Sequence, residues 1–273
     1  MSFISKKRLA DTPLLQRTAV ALALVVACAS ASALPQFKLD PSAVSPTLAG
    51  TAFTGDNILI SDFSTVTFDG LGNFSDTGFL SVSAIQLVGS TFTPTGLNKS
   101  DGTGYGLYFA FTGTGTTTIG DPRLVPTIGT FKTLTYTLYG YNGLASFGFS
   151  GNTPTETASG EVALATGTLI SGNAVTVPTG DGSTFTPSAG AKLNFVVAPG
   201  QAAFFADPKP FYDLAFAAFT NTTTQVEPFA GGFRIRQGGG AVNFASTIPE
   251  PQTYALMLAG LAAVGFVARR RRS

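Results

Sequence analysis

Apolar and polar side chains alternate along most of the chain between residues 34 and 247. Tyr105, Leu107, Phe109 and Phe111 occupy every second position, and runs of the same period recur downstream. They begin at Leu134, Ala145, Val162, Leu193 and Phe233. This alternation, in runs rich in aromatic and β-branched residues, predicts half-buried strands. Residues 211–220, the one ambiguous run, are also predicted as a strand.

Turn-forming pairs divide these runs and set the predicted fold class. Asp69-Gly70, Asn142-Gly143 and Asp181-Gly182 are typical of tight turns between strands. Many short strands at this spacing favour an all-β domain, predicted here as an elaborated antiparallel β-sandwich or jelly roll. The Phe residues, 24 in the whole chain, would fill the space between two sheets. The predicted body is one domain spanning residues 34–247.

The first 33 residues have the three parts of a secretory signal peptide. Basic residues precede an apolar run, and small residues follow it, with Ala31 and Ala33 at the expected cleavage positions. Cleavage after Ala33 would leave Leu34 as the new amino terminus. Two alternatives are a retained membrane anchor and a lipoprotein anchored through Cys28, because acylation of a thiol can attach a chain to a membrane.

The last 26 residues form a second three-part pattern. Pro249, Glu250 and Pro251 precede an uncharged apolar stretch, residues 253–268, which is long enough to cross a thin bilayer as a helix. Four arginines close the chain and predict a cytoplasmic end by the positive-inside rule; they are Arg269, Arg270, Arg271 and Arg272. The prolines disfavour helix around Glu250, which would be presented in an extended conformation that suits a protease.

This tail, residues 248–273, resembles the PEP-CTERM sorting signal of Gram-negative bacteria. The resemblance implies export through the inner membrane and transient retention there through the carboxy-terminal helix. It also implies processing near the Pro-Glu-Pro motif by an exosortase, followed by location at the cell surface or in the extracellular matrix. The alternative is an ordinary single-pass anchor.

The body is similar to one PEP-CTERM subgroup, the flocculation-associated proteins. The similarity lies in residues 90–97 (STFTPTGL), 137–143 (TLYGYNG) and 227–240 (EPFAGGFRIRQGGG). It implies a role in cell aggregation, with exopolysaccharide or neighbouring cell surfaces as partners. It brings no catalytic residues with it.

Composition excludes several kinds of chemistry. The chain has no His and one Cys, so it cannot form a Ser-His-Asp triad, an imidazole metal site or an intrachain disulfide. Charged residues make up 11% against about 25% in average domains, and removal of both ends would leave an acidic body. The sequence therefore predicts a protein that is not an enzyme, with no cofactor, metal or nucleic-acid partner.

Two small groups of residues are candidate contacts for glycans. Tyr139 and Tyr141 share one face of a predicted strand, where aromatic rings could stack on sugars. Arg234 and Arg236 share an outward face and could bind acidic sugars. The competing interpretations are core packing for the tyrosines and pairing with neighbouring carboxylates for the arginines.

The function predicted from the sequence is adhesion outside the cell. Many weak contacts to exopolysaccharide, summed over many copies, would hold cells together in flocs. One alternative is a carbohydrate-binding module with a single defined site. Another is a hydrolase of matrix sugars, which would need two carboxylates but no His.

Overall fold

The structure, a computed structural model, describes residues 34–43 and 50–247, together with Leu258, Gly260 and Leu261. The chain divides into two units, Met1–Ala33 and Leu34–Ser273, and every described residue belongs to the second. The predicted signal peptide and the predicted processing residues, Pro249, Glu250, Pro251 and Arg269 to Arg272, therefore lie outside the described residues.

Strands dominate the described residues, as the alternating pattern predicted, with two short 3-10 helices at Pro41–Ala43 and Thr223–Gln225. The strands are β1 (Phe37–Leu39), β2 (Phe53–Gly55), β3 (Asn57–Phe68), β4 (Asn73–Leu87), β5 (Ser90–Phe92), β6 (Tyr105–Thr117), β7 (Thr127–Asn142), β8 (Phe147–Ser150), β9 (Thr153–Glu156), β10 (Val162–Pro178), β11 (Phe185–Asn194), β12 (Val196–Val197), β13 (Phe205–Asp207), β14 (Leu214–Thr220), β15 (Val226–Phe229) and β16 (Gly232–Ala245). The strand predicted over residues 211–220 begins at Leu214.

Eight of these strands form one closed antiparallel sheet. In order around it they are β3, β4, β6, β7, β10, β11, β14 and β16, each next to the strand before it in that order. β16 then pairs with β3 from Gly232 opposite Thr67 to Val242 opposite Ile58, which closes the sheet into a barrel. The all-β class is confirmed, and the architecture is an up-and-down barrel.

The predicted β-sandwich or jelly roll is therefore wrong. Strands of a sandwich and strands of a barrel show the same alternation of apolar and polar residues, because in both architectures each strand has one face toward a core. Strand length was also misjudged, since glycines that suggest turns lie inside strands. β10 runs for 17 residues through Gly167 and Gly172. Long twisted strands let the sheet coil until its first and last members meet.

Aromatic side chains fill one end of the barrel. Phe244, near the end of β16, packs against Phe37 of β1 and Phe195, with ring centroids 5.3 and 4.9 Å apart. β1 belongs to a small sheet of order β13-β1-β2, and Phe205 of β13 joins the same cluster. We call this the plugged end. The described chain leaves it at Thr247, shortly after β16.

One helical stretch was predicted to cross the membrane, at residues 253–268. Of these, only Leu258, Gly260 and Leu261 are described, and all three are helical. Among the residues that the structure describes, no helix is both long and apolar enough to span a bilayer.

Candidate functional site on the outer face of the barrel

A hairpin made by β8 and β9 leaves the barrel between β7 and β10 and folds back on its outer face. Its strands pair from Phe147 opposite Glu156 to Ser150 opposite Thr153. Near its tip, Thr65 Oγ1 of β3 donates a hydrogen bond of 2.6 Å to the carbonyl oxygen of Asn152. The hairpin therefore covers part of the outer face, and both candidate glycan contacts predicted from the sequence lie near it.

The predicted tyrosine pair lies under this hairpin. Tyr139 and Tyr141 share the outer face of β7, and Tyr139 stacks on Tyr108 of β6 with centroids 5.2 Å apart. Phe147 of the hairpin packs on Tyr108 at 5.5 Å and on Tyr141 at 6.4 Å. Tyr141 is 2% exposed, so its ring is enclosed by protein. Tyr139 is half-buried and keeps part of its surface accessible.

Close packing around Tyr141 depends on a glycine. A Cβ atom added at Gly106 of β6 would overlap the phenol ring of Tyr141. Burial and the nearby Glu156 carboxylate raise the pKa of Tyr141 to about 12. Tyr108 donates its hydroxyl proton to Oε1 of Glu161. Burial is the main cause that raises the pKa of Tyr108, and the bond to Glu161 raises it further. Both phenols are therefore neutral hydrogen-bonding groups at neutral pH.

The predicted arginine pair holds the other half of the same hairpin. The guanidinium groups of Arg234 and Arg236 both lie over the ring of Phe149, at 5.6 and 5.5 Å from its centroid. Both also pair with the carboxylate of Glu227 on β15, at 2.6 and 2.8 Å. Arg234 Nη1 donates a further bond of 2.5 Å to the carbonyl oxygen of Gly151.

The structure thus joins two candidates that the sequence kept apart. Tyr141 contacts Phe147 and the arginines contact Phe149, which lies two positions further along the same strand. Because both guanidinium groups share the single carboxylate of Glu227, only one of their two positive charges is compensated. Arg236 is the more accessible of the two, with half of its side chain exposed. Sequence reasoning missed the hairpin as a separate element, although the Phe147 and Phe149 alternation and the Ser150-Gly151-Asn152 turn were visible.

Beside the hairpin lies a regular array of hydroxyl groups on the outer face. Thr77, Thr112, Thr135 and Thr168 are direct cross-strand neighbours on β4, β6, β7 and β10. A second row runs parallel to the first on β3, β4, β6 and β7, and its members are Thr67, Ser75, Thr114 and Thr133. All eight side chains are exposed. We call this set the threonine face.

A groove separates the threonine face from the hairpin. It has a volume of about 390 Å³, and its floor includes Thr77, Thr112 and Thr135. Phe79 on the floor and Pro154 on the hairpin side add apolar surface. No Asp or Glu is among the residues that line it. Alternating hydroxyl and apolar groups can bond and pack against a sugar ring, which has both kinds of surface.

Polar loops do not assemble a metal centre in the part of the chain that is described. No group of three or more His, Cys, Asp or Glu side chains there could hold an ion. Asp69 instead organises the β3–β4 turn, accepting bonds from the backbone N–H groups of Leu71 and Asn73 at 2.7 and 3.0 Å. A hydrogen bond from the Asn73 side chain, followed by these backbone bonds, lowers the pKa of Asp69.

Comparison with known proteins identifies the tail. Residues 247–272 match the family model of the PEP-CTERM protein-sorting motif. No curated protein and no solved structure matches the chain. The predicted resemblance of the tail is confirmed, and the motif marks an exported protein that an exosortase processes. The resemblance of the body to flocculation-associated proteins stays a prediction.

Proposed function

We propose that this chain, which carries the PEP-CTERM protein-sorting motif, is released by an exosortase at the cell surface and there holds cells and exopolysaccharide together. The sorting motif is the observation that carries the proposal. Its matched residues begin at Thr247, only two positions after β16 ends at Ala245. Cleavage near Glu250 would therefore free the barrel without removing any of its strands.

The threonine face supports the adhesive part of the proposal. Each Thr hydroxyl both donates and accepts hydrogen bonds, as sugar hydroxyls do, so many equivalent pairings are available along a polymer. Neighbouring strands lie about 4.8 Å apart, which spaces these groups closely across the sheet. Single contacts of this kind are weak, and multiple copies bridging several polymer chains would give the adhesion its strength.

A carbohydrate-binding module with one defined site is the second candidate. The groove beside the hairpin favours it, because a site of about 390 Å³ lies within the size range of small-ligand pockets. The two functions differ in their binding curves. A defined site gives saturable binding to a short purified glycan, whereas an extended adhesive face requires the polymer.

The test uses a strain that lacks the protein and the same strain with the full chain restored. We expect the deletion to reduce cell sedimentation in the presence of exopolysaccharide and the restored chain to recover it. Normal flocculation of the deletion strain would overturn the adhesive role.

The intact mass of the protein from cells and medium tests the processing separately. We expect a species that begins at Leu34 and ends near Glu250. A species that retains Arg269 to Arg272, or begins at a lipidated Cys28, would contradict exosortase release.

A further inference from the structure

The barrel interior contains a cavity of about 100 Å³ at the end opposite the plugged end. Large rings form one side, where Phe74 of β4 meets Phe131 of β7 at 5.2 Å. The opposite side is lined by small side chains of β11 and β14, namely Ala189, Ala191, Ala215 and Ala217. An eight-stranded barrel is wide enough for side chains to fill or for one small ligand. Because the small alanine side chains leave space unfilled, this barrel has room for a small ligand.

Two carboxyl groups point into this apolar space. Asp62 of β3 and Asp76 of β4 both line the cavity, and Asp62 is 4% exposed. Oδ1 of each is buried without a hydrogen-bond partner, although Asp76 as a whole keeps some accessible surface. The lining contains no Lys or Arg among the described residues, so no protein cation compensates them. Burying a carboxyl oxygen without a hydrogen-bond partner costs free energy, and native structures seldom contain such groups.

The two carboxyl groups lie on one stretch of the wall. Asp76 faces Val66 across the β3–β4 pair, and Ser64 lies between Asp62 and Val66 along β3. Ser64 Oγ is also buried without a hydrogen-bond partner. Gly78 stands opposite Ser64, and a Cβ there would overlap the β3 backbone. The strands are therefore pressed together at the point between the two acids.

A third unpartnered acceptor lies next to Asp62. Asn221 also lines the cavity, is 2% exposed, and has a buried Oδ1 without a partner. This oxygen occupies the space in which Gly238 would carry a Cβ. Gly238 in turn pairs with Asp62 across β16 and β3. Three acceptor oxygens, from Asp62, Asp76 and Asn221, thus lie along one side of an apolar cavity.

We propose that this cavity binds a small protonated amine with an apolar body. An ammonium group supplies three N–H donors and one positive charge, which matches three acceptors and an uncompensated acidic pair. The apolar body would fill the space between the phenylalanines and the alanines. An alcohol supplies a single donor, and an anion would add like charge to the carboxyl groups.

The rim at this end of the barrel carries exposed apolar side chains. Exposed aliphatic side chains occur on the β3–β4 turn, the β6–β7 loop and the adjoining ends of β7 and β10; they are Leu71, Ile119, Leu124, Val125, Ile128 and Val177. A ligand with an apolar body would meet these side chains before it enters.

The test compares isobutylamine with isobutanol on the full chain, because the two probes have the same shape and differ in charge. An engineered apolar cavity of about 150 Å³ accepts benzene, so a four-carbon body suits this smaller space. Binding is measured at pH 8, above the pKa of about 7 to which burial raises Asp62, by calorimetry and by the rise in melting temperature. We expect the amine to bind at least about tenfold more tightly than the alcohol, as charge-assisted bonds require. Equal affinities, or no binding of the amine, would overturn the proposal.

Two variants locate the site. Asp62→Asn removes a charge but keeps the shape, and should reduce the affinity for the amine to that for the alcohol. Ala217→Leu fills the cavity and should abolish binding of both. Asp101→Asn, on an exposed loop, is the matched control and should change neither. Undiminished amine binding in both cavity variants would place the amine elsewhere and contradict the proposal, and the comparison of the two probes stands even if a variant fails to fold.

Discussion

Thr247 is bonded to the carboxylate of Asp213 through both its backbone and its side chain. The Thr247 N–H donates to Oδ1 at 2.7 Å, and its hydroxyl donates to Oδ2 at 2.5 Å. Asp213 directly precedes β14, and the bonds from Thr247 lower its pKa. The sorting motif therefore begins at a residue that is fixed to the plugged end of the barrel.

Loss of this attachment should loosen the end of β16. Asp213→Ala removes both acceptors, and we expect the free energy of unfolding to fall by about 1 kcal/mol, as for exposed hydrogen bonds. Asp213→Asn keeps one acceptor oxygen and should lose less. Chemical denaturation measures the stability, and hydrogen exchange at residues 243–247 should rise in the same order. Equal exchange in all three proteins would contradict the role of this contact.

The buried acids of the cavity should make the protein less stable as the pH rises. Burial raises the pKa of Asp62 to about 7, and burial together with Asp62 raises that of Asp76 well above its ordinary value. The folded state therefore binds protons that the unfolded state has released. The stabilisation of the folded state by this proton binding is complete below about pH 4 and is lost as the pH rises through about 7.

The expected fall in the free energy of unfolding from Asp62 is up to about 4 kcal/mol between pH 4 and 8. Tyr136 is the other ionisable side chain that lines the cavity in the described residues, and it stays neutral in this range. Hydrogen bonds from Thr103 lower the pKa of the exposed Asp101 to about 2. Protonation of such exposed acids therefore changes the stability only at more acidic pH. Denaturation at several pH values should show a smaller slope for Asp62→Asn, and an unchanged slope would refute this account.

How far the sequence predicted the molecule depends on the range of each interaction. Strand formation follows from local alternation, so the all-β class was predictable. Barrel closure depends on β16 meeting β3, whose partners Gly232 and Thr67 are far apart in sequence, and no local pattern reports such a pairing. Asp76 illustrates the same limit. It lies two positions after the buried Phe74, so alternation places it on the inner face, but only the register with Val66 shows which part of β3 it lies beside.

The candidate site was predictable only in part, for a related reason. The outward faces of Tyr139 and Tyr141, and of Arg234 and Arg236, follow from strand periodicity. What covers an outward face depends on a separate segment, and here the β8–β9 hairpin folds over it through Phe147 and Phe149. The threonine face arises from cross-strand registers, although the abundance of Thr at outward positions was visible in the sequence.

The hairpin should detach when its aromatic anchor is removed. Phe149→Ala deletes the ring that lies under both Arg234 and Arg236, and each such contact is worth about 0.5 to 1 kcal/mol. We expect faster proteolysis between residues 147 and 160, with the barrel itself still folded. Phe149→Tyr keeps an aromatic face and should resist cleavage as the unmodified protein does. A protection pattern that Phe149→Ala leaves unaltered would show that the hairpin is held by other contacts.

The two candidate tyrosines should separate into a structural and an accessible residue. Tyr141→Ala empties an enclosed position and should cost about 3 kcal/mol of stability, close to other large aromatic deletions. Tyr139→Ala affects a half-buried ring and should cost less, so that any loss of glycan affinity can be measured on folded protein. Denaturation and glycan binding are measured on both variants. Equal stability losses would contradict the difference in burial.

The threonine face should carry adhesion to the polymer if its hydroxyl groups are the contacts. Thr112→Val and Thr135→Val together replace two central hydroxyls by methyl groups on exposed strand positions, so the fold should keep its stability. Loss of two hydrogen bonds predicts about tenfold weaker binding to purified exopolysaccharide. Thr91→Val with Thr220→Val makes the same chemical change at exposed positions outside the threonine face, and should bind normally. Equal weakening by both pairs would mean that hydroxyl content matters and the array does not, and unchanged binding in the first pair would assign adhesion to another surface.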